Sequence, residues 1–295
     1  MVSMAKHSAI ILCLIILSSC GKPQGISYLD EHFPGHEPQL YAPGLVNVEG
    51  RFQQNITISA NGKEQYITIT DSAVWRYERI LRLKQTDKGL MIDTPQFVKD
   101  FTYQNEWFIG EPMLSPDDSF LYFVADFPPD LWRSPRTKSG NLGTPEKLED
   151  VSTAKDDWYP SFAGNGNLYF TNGTLYRAKP SNGTYQAKDS IQIPMKLVDV
   201  RDPYISPNED FIIFAASEGS LDNDSDLYVS FKESGDAWSS PISLGADINS
   251  AAFELGPYIS PDGQYLFFSR RDQWQNASYS NIYWVSMEVV EALRN

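Results

Sequence analysis

The sequence predicts an all-β fold assembled from repeated four-stranded units. Three observations predict it: aromatic residues make up 13% of the 295 residues, Gly and Pro number 19 each, and strand–turn–strand patterns recur along the chain. Aromatic side chains favour strands, and Gly and Pro mark the turns between them. A chain of this length has room for one large domain or two ordinary ones.

The clearest repeated pattern is an apolar strand, a tight turn and a second apolar strand. The best copy is "LGPYISPDGQYLFFSRR", in which Pro-Asp-Gly separates two aromatic runs. Five copies align on one turn position, at Ser59, Ser115, Ala163, Ser206 and Ser260. The spacings between these positions are 56, 48, 43 and 54 residues. Repeats of about this length are typical of four-stranded propeller blades.

Each predicted hairpin is followed by a third-strand pattern: "RILRLK", "DLWRS", "TLYRA", "DLYVSF" and "NIYWVS". In four units a further short strand is predicted: "QFVKDF" (Gln96–Phe101), "EKLEDV" (Glu146–Val151), "MKLVDV" (Met195–Val200) and "PISLGADI" (Pro241–Ile248). A unit therefore comprises an inner, a second, a third and an outer strand.

The fifth unit lacks an outer strand of its own, and we expect "QLYAPGLVN" (Gln39–Asn47) to supply it. Closing the ring with this N-terminal strand removes an open sheet edge. We therefore predict a β-propeller of five four-stranded blades over residues 39–288, followed by a short helix or tail at 289–295. Six blades remain the alternative, with the extra blade hidden in the weaker first repeat.

These residues resemble a known family. "SPDG", then "YLFF", then "NIYWVS" resembles the WD40-like, Pro-Asp repeat of TolB-type propellers, over about Gln39 to Ser286. The first and third copies, "SANG" and "AGNG", lack the Pro-Asp pair but keep Asn-Gly. The resemblance implies the propeller fold. For function it implies less, because TolB-type propellers include periplasmic docking platforms, whereas other relatives degrade carbohydrate or accompany peptidases.

The N-terminus has the pattern of an export signal. Lys6 precedes nine apolar residues, too few to span a bilayer, for which about 20 are needed. "LSSC" then resembles a bacterial lipobox, which implies a signal peptide over residues 1–19 and acylation of Cys20. Residues 20–38 are rich in Gly, Pro and charge, which predicts a flexible tether. Gly21 in place of Asp implies, by resemblance to enterobacterial sorting signals, a lipid-anchored protein of the outer membrane facing the periplasm.

Candidate site residues fall on one face, where loops after the second strands meet the connections into the inner strands. Four residues before each turn position the chain carries Asn55, Glu111, Tyr159, Asp202 and Gly256, which this spacing places at the mouth of the central channel. The neighbouring Trp158 and Arg201 join this set. The competing interpretation is that these side chains satisfy strand ends and channel waters.

The fifth unit adds a charged group to the candidate site: Glu254, Arg270, Arg271 and Asp272. Glu254 has a second interpretation, as the ion-pair partner of one of these arginines. "DNDSD" (Asp222–Asp226) suggests calcium but lacks the Gly and the distant Glu of an EF-hand loop. No metal site is predicted.

Several function classes are excluded by composition. The predicted propeller contains no His or Cys, so a Ser-His-Asp, a Cys-His or a His-ligated zinc site has no residues to form it. A net charge of −14 excludes a basic nucleic-acid footprint. We expect no cofactor and a monomer.

The resulting prediction is a binding or docking module for a protein partner or an envelope polymer, attached to the membrane through its lipid. The alternative is a carboxylate-dependent glycosidase or lyase, for which a pair such as Glu111 and Asp202 would serve.

The lipid anchor is tested by Cys20→Ser. Because acylation requires the cysteine, we expect the substituted protein to lose acyl labelling and detergent-phase partitioning. Cys13→Ser is the matched control and should leave both intact, since cleavage discards that residue. Continued partitioning of the Cys20→Ser protein would place the anchor elsewhere.

Overall fold

A computed structural model describes residues 28–29, 32–70, 78–95, 98, 108–186, 188–194, 196–219 and 224–294. The described chain forms five antiparallel sheets of four strands each, arranged as a β-propeller. The five-bladed fold predicted from the repeats is therefore confirmed, and so is its closure by the N-terminal strand.

Each blade has the same strand order. The innermost strands are β2 (Phe52–Ile58), β6 (Ile109–Leu114), β10 (Trp158–Phe162), β16 (Val198–Ile205) and β20 (Phe253–Ile259). The second strands are β3 (Glu64–Thr70), β7 (Phe120–Ala125), β11 (Leu168–Thr171), β17 (Phe211–Ser217) and β21 (Tyr265–Arg271). The third strands are β4 (Arg79–Thr86), β8 (Asp130–Pro135), β12 (Leu175–Ala178), β18 (Asp226–Phe231) and β22 (Ser280–Ser286).

The outer strands are short. They are β5 (Gly89–Asp93), β9 (Glu146–Lys147), β15 (Asp189–Ser190), β19 (Ile242–Ser243) and β1 (Gln39–Leu40). A two-stranded hairpin, β13 (Pro180–Ser181) with β14 (Thr184–Tyr185), is inserted in the third blade, and helix α1 (Glu288–Glu291) follows the last strand.

Two predicted outer strands are wrong. The first blade uses β5 rather than Gln96–Phe101, and Val98, the described residue of that segment, is helical. The third blade uses β15 rather than Met195–Val200, whose last residues instead begin inner strand β16. Both segments carry apolar residues, but an outer strand buries little apolar area and therefore needs no such pattern.

The five inner hairpins turn in similar ways. In four of them the residue at the turn position donates its backbone N–H to the carbonyl five positions later, as in Ser260 N to Tyr265 O at 2.9 Å. A second bond joins Gly263 N to Ser260 O at 2.8 Å. In the third blade Ala163 N donates to Asn167 O, four positions later, at 3.0 Å. The Ser260 hydroxyl donates to Asp262 Oδ1, and the Ser115 hydroxyl donates to Asp117 in the same way. The Pro-Asp pair therefore makes turn contacts, which explains its recurrence.

Closure of the ring depends on β1 and on Asn47. Strand β1 pairs antiparallel with β22, and Tyr41 N continues the ladder to Ile282 O at 3.0 Å. The buried Asn47 side chain then takes the place of a strand residue. Its Nδ2 donates to Ile282 O at 2.7 Å and to Tyr41 O at 2.6 Å, and its Oδ1 accepts from Ile282 N at 2.8 Å.

The described residues that precede β1 pack on the fifth blade. Tyr28 stacks against Phe267 and donates its hydroxyl to Asp262 Oδ1 at 2.7 Å. Phe33 lies against Tyr265 and Trp284. These contacts join the end of the predicted tether to the face that carries the inner-hairpin turns, which we call the turn face.

The core runs between the blades. Strands β17 and β20 are buried along their whole length, and Trp284, Phe267 and Phe214 are fully buried. Within the described ranges, no helix has the length and apolar character needed to cross a membrane.

Asn47→Ala is expected to weaken ring closure. It leaves the buried N–H of Ile282 without its partner, while Ile282 O keeps the bond from Tyr41 N. One unsatisfied buried group costs about 1–3 kcal/mol, so Tm should fall by roughly 2–10 °C. Thermal denaturation followed by circular dichroism measures this. Asn141→Ala, which truncates an exposed amide, is the control, and an equal fall in both variants would contradict the role of Asn47.

Candidate functional site

A β-bulge interrupts every inner strand at the same place. The pairing of each inner strand with its second strand shifts register there. The residues four before the turn all adopt left-handed backbone: Asn55 (φ 46), Glu111 (φ 52), Tyr159 (φ 58), Asp202 (φ 52) and Gly256 (φ 60). Positive φ is rare outside Gly and is a form of strain that occurs at functional sites, where bulges redirect side chains.

The bulges link neighbouring blades around the axis. In four of the five blades, a side chain of the preceding blade accepts the N–H of the bulge residue. Tyr159 N donates to Glu111 Oε2 at 2.7 Å, and Gly256 N donates to Asp202 Oδ2 at 3.0 Å. In the same way Asn55 N donates to Ser269 Oγ, and Glu111 N donates to Thr68 Oγ1.

These residues meet at the propeller axis. The Asn55 amide is hydrogen-bonded to the Tyr159 hydroxyl. A Cβ on Gly256 would lie 2.7 Å from Asn55 Nδ2 and 2.9 Å from the Tyr159 oxygen, so the fifth blade has room for Gly alone. We call Asn55, Glu111, Tyr159 and Asp202 the axial cluster.

Two carboxyl groups of the axial cluster interact electrostatically. Burial raises the pKa of Glu111 well above its usual value, and the charges of Asp202 and Glu78 raise it further. Burial also raises the pKa of Asp202, although the nearby Arg201 guanidinium opposes this. Ionising both carboxyls together is therefore unfavourable without a cation between them.

The axial cluster lies at the floor of a cavity of about 780 Å³. Its walls include the aromatic side chains of Phe108, Trp158 and Trp274, and polar side chains of Gln54 and Arg201. Phe108 and Trp158 pack edge to face with ring centroids 5.1 Å apart. The Arg201 guanidinium lies 5.3 Å from the Trp274 ring centroid, a cation–π distance.

Several buried polar atoms of the cavity residues have no hydrogen-bond partner among the residues that the structure describes. They are Gln54 Oε1, Asn55 Oδ1 and Arg201 Nη1. An unsatisfied buried polar atom is costly, about 1–3 kcal/mol each, and such atoms need an explanation such as an unseen ligand or water.

The predicted site residues thus divide into two groups. The structure brings Asn55, Glu111, Trp158, Arg201 and Asp202 to the cavity wall, with Tyr159 in contact at the floor. It does not bring the charged group of the fifth unit there.

The fifth-blade charges instead satisfy one another and nearby backbone. Glu254 is fully buried and accepts from Arg270 Nε at 2.6 Å, as a cross-strand pair between β20 and β21. The Arg271 Nε donates to Gln273 O, and Asp272 accepts from the backbone and hydroxyl of Ser278.

The sequence interpretation missed further cavity residues, among them Phe108, Gln54 and Glu78. Gln54 precedes Asn55 as Trp158 precedes Tyr159 and Arg201 precedes Asp202, so the repeat register itself could have identified it. Glu78 stands directly before the third strand and is buried, with Gln54 Nε2 donating to its Oε1 at 2.7 Å. It occupies the position of Ser225 and Ser280 in other blades, and no spacing rule distinguishes it.

No cluster of three or more metal-binding side chains occurs among the described residues. Asp222 and Asn223 of the "DNDSD" segment lie outside them.

The sequence matches no protein-family model and no curated protein. Solved structures with similar folds include an endo-arabinase from Bacteroides thetaiotaomicron, at 13% identity and a TM-score of 0.53, covering 85% of this chain and 96% of that one. A β-xylosidase/α-arabinofuranosidase from a compost microbial metagenome has 12% identity and a TM-score of 0.50, covering 84% and 94%. TolB from Acinetobacter baumannii has 13% identity and a TM-score of 0.49, covering 80% of this chain and 57% of that one. Identities this low show a shared fold alone.

Glu111→Gln should change how stability depends on pH. The raised pKa of Glu111 means that the unfolded chain ionises first as pH rises, so this group destabilises the native state above its ordinary pKa. Gln keeps an acceptor for Tyr159 N and carries no charge. We expect the variant to have a higher Tm than wild type at about pH 8 and a similar Tm near pH 4.

The exposed Glu149→Gln is the matched control for thermal denaturation at both pH values, because it removes one carboxylate away from the axis. A lower Tm for Glu111→Gln at the higher pH would contradict the assignment.

Proposed function

We propose that this protein is a lipid-anchored envelope propeller that binds a saccharide polymer in its axial cavity. The observation that carries the proposal is the pairing, in one cavity, of Trp and Phe walls with the partnerless amide oxygens of Gln54 and Asn55. Of the two partners that the sequence left open, this concave site fits a polymer segment better than a protein surface, since protein interfaces are commonly broad.

The size and chemistry of the cavity support this proposal. A volume of about 780 Å³ lies within the range of about 300–1,000 Å³ usual for small-ligand sites. Aromatic rings such as Trp158 and Trp274 offer flat apolar faces to the C–H faces of a sugar ring. The amide and carboxyl oxygens of Gln54, Asn55 and Asp202 accept from sugar hydroxyls, while Arg201 Nη1 donates.

The cellular setting is part of the proposal. It rests on the lipobox resemblance at Cys20, on the export-signal pattern and on the Pro-Asp turns that resemble the WD40-like repeat of TolB-type propellers. Attachment at the outer membrane, facing the periplasm, would place the cavity among envelope polysaccharides.

The second candidate is a carboxylate-dependent glycosidase or lyase. The specific observation in its favour is the electrostatic contact of Glu111 and Asp202, two buried carboxyls with raised pKa values. A carboxyl held protonated near neutral pH is a general acid, and glycosidases pair one with a second carboxyl. In this structure, however, each of the two carboxyls also accepts a backbone N–H of the next blade, which gives both a structural role.

Binding is tested by titrating the purified protein with a panel of envelope, plant and algal oligosaccharides in a calorimeter. We expect saturable binding of at least one, and a loss of at least about tenfold in affinity in Trp158→Ala, because stacking on the ring is removed. Tyr176→Ala, a partly buried aromatic of the third blade outside the cavity, should bind as wild type does. Equal weakening in both variants, or no binding to any oligosaccharide, would contradict the proposal.

Catalysis is tested on the same panel by the release of reducing or unsaturated sugar ends. Release that is lost in Glu111→Gln and in Asp202→Asn would establish the enzyme and replace the binding-only function. Saturable binding without release would exclude it for the oligosaccharides tested.

A further inference from the structure

We propose that the axial cavity selects ligands that carry a primary ammonium group, so that the saccharide it binds is an amino sugar with a free amine. This inference rests on the proposed saccharide binding and names its substrate class. It follows from the balance of hydrogen-bond donors, acceptors and charges at the cavity floor.

The amide groups at the floor present acceptors. Gln54 and Asn55 are 4% and 6% exposed, and both line the cavity. The nitrogen of Gln54 donates to Glu78, and the Asn55 amide is bonded to the Tyr159 hydroxyl. Gln54 Oε1 and Asn55 Oδ1 remain without partners. A ligand that satisfies these atoms must therefore supply N–H or O–H donors.

The carboxyl groups add further acceptors. Glu111 Oε2 accepts one backbone N–H and Asp202 Oδ2 accepts another. Within the described part of the chain, these are the one hydrogen bond that each side chain accepts, so each carboxyl retains an oxygen for a ligand. Four acceptor oxygens from four side chains thus surround the floor, a set that matches the three N–H donors of an ammonium group better than one hydroxyl.

Charge favours a cation over a neutral donor. Asp202 and Glu78 repel a second negative charge on Glu111, and a bound cation would remove that repulsion. Arg201 is the one basic side chain among the described residues that line the cavity. Its Nε donates to Asp199 O, its Nη2 donates to Ser217 Oγ, and its plane lies near Trp274, so it is held to one side.

The aromatic walls suit the same ligand. An ammonium group close to an aromatic face gains cation–π attraction, and Trp gives the most. The side chains of Trp158, Glu111 and Asp202 line the same cavity. A neutral sugar would gain the stacking without the electrostatic attraction.

The test compares two ligands that differ only in acetylation. A β-1,4-linked glucosamine tetramer and its fully N-acetylated counterpart are titrated into the intact protein at about pH 6, where the free amines are largely protonated. We expect the glucosamine tetramer to bind at least about tenfold more tightly, and added salt to weaken it more than the acetylated tetramer. This comparison needs only the wild-type protein, so it does not depend on a variant folding.

Variants then test whether the preference for the free amine arises from the axial carboxyls. Asp202→Asn and Glu111→Gln each remove a carboxyl that can carry negative charge beside a bound ammonium group, and each should reduce the preference for the free amine towards onefold. Asp247→Asn, an exposed carboxylate of the fourth blade, should leave it unchanged. A preference that survives in both axial variants would overturn the assignment to this cavity.

Each other outcome is equally decisive. Equal affinity for both tetramers would overturn the inference while leaving saccharide binding intact. Binding of spermidine without any oligosaccharide would support ammonium recognition and contradict the proposed saccharide function. Binding of neither would overturn both.

Discussion

The left-handed bulge in each inner strand is the constraint on which the rest of the structure depends. Among the described residues, backbone bonds between neighbouring blades are isolated, as in Asp157 N to Pro129 O and Glu254 N to Ser225 O, and form no continuous ladder. The bulge frees one N–H per blade, and in four blades a side chain of the preceding blade accepts it. Ring assembly and site geometry therefore share the same residues. Glu111 and Asp202 hold the next blade with one oxygen and present the other to the cavity.

This sharing explains why buried carboxyls are retained at the axis. An apolar side chain would fill the space but would leave the bulge N–H of the next blade without an acceptor, which is costly in a buried site. A carboxylate pair accepts both N–H groups but adds repulsion between its members. The fold therefore places two mutually repelling carboxyl groups at the propeller axis, and a bound cation is one way to reduce that repulsion.

The hairpins could be predicted from the sequence because Pro-Asp-Gly and Asn-Gly dictate turns whatever surrounds them. The sequence also marks the bulges, because in four blades the bulge residue is followed by proline: Glu111, Tyr159, Asp202 and Gly256. Inside a sheet, proline occurs mainly at edges and bulges because it cannot donate a backbone hydrogen bond. The two outer strands of the first and third blades could not be predicted, because strands of two to five exposed residues need little apolar character. Of the two interpretations of Glu254, the structure shows the ion pair, because Arg270 lies directly across from it on the neighbouring strand.

The position of Tyr28 determines which way the cavity faces when the protein is immobilised through its N-terminal side. Tyr28 and Phe33 pack beside Asp262 and Tyr265 on the turn face, whereas the cavity residue Leu255 lies at the other end of the same hairpin. The described chain therefore begins on the turn face. Immobilising the protein through a linker placed at Tyr28 would leave the mouth of the cavity pointing away from the support, open to a long polymer that passes across it without meeting the surface beneath.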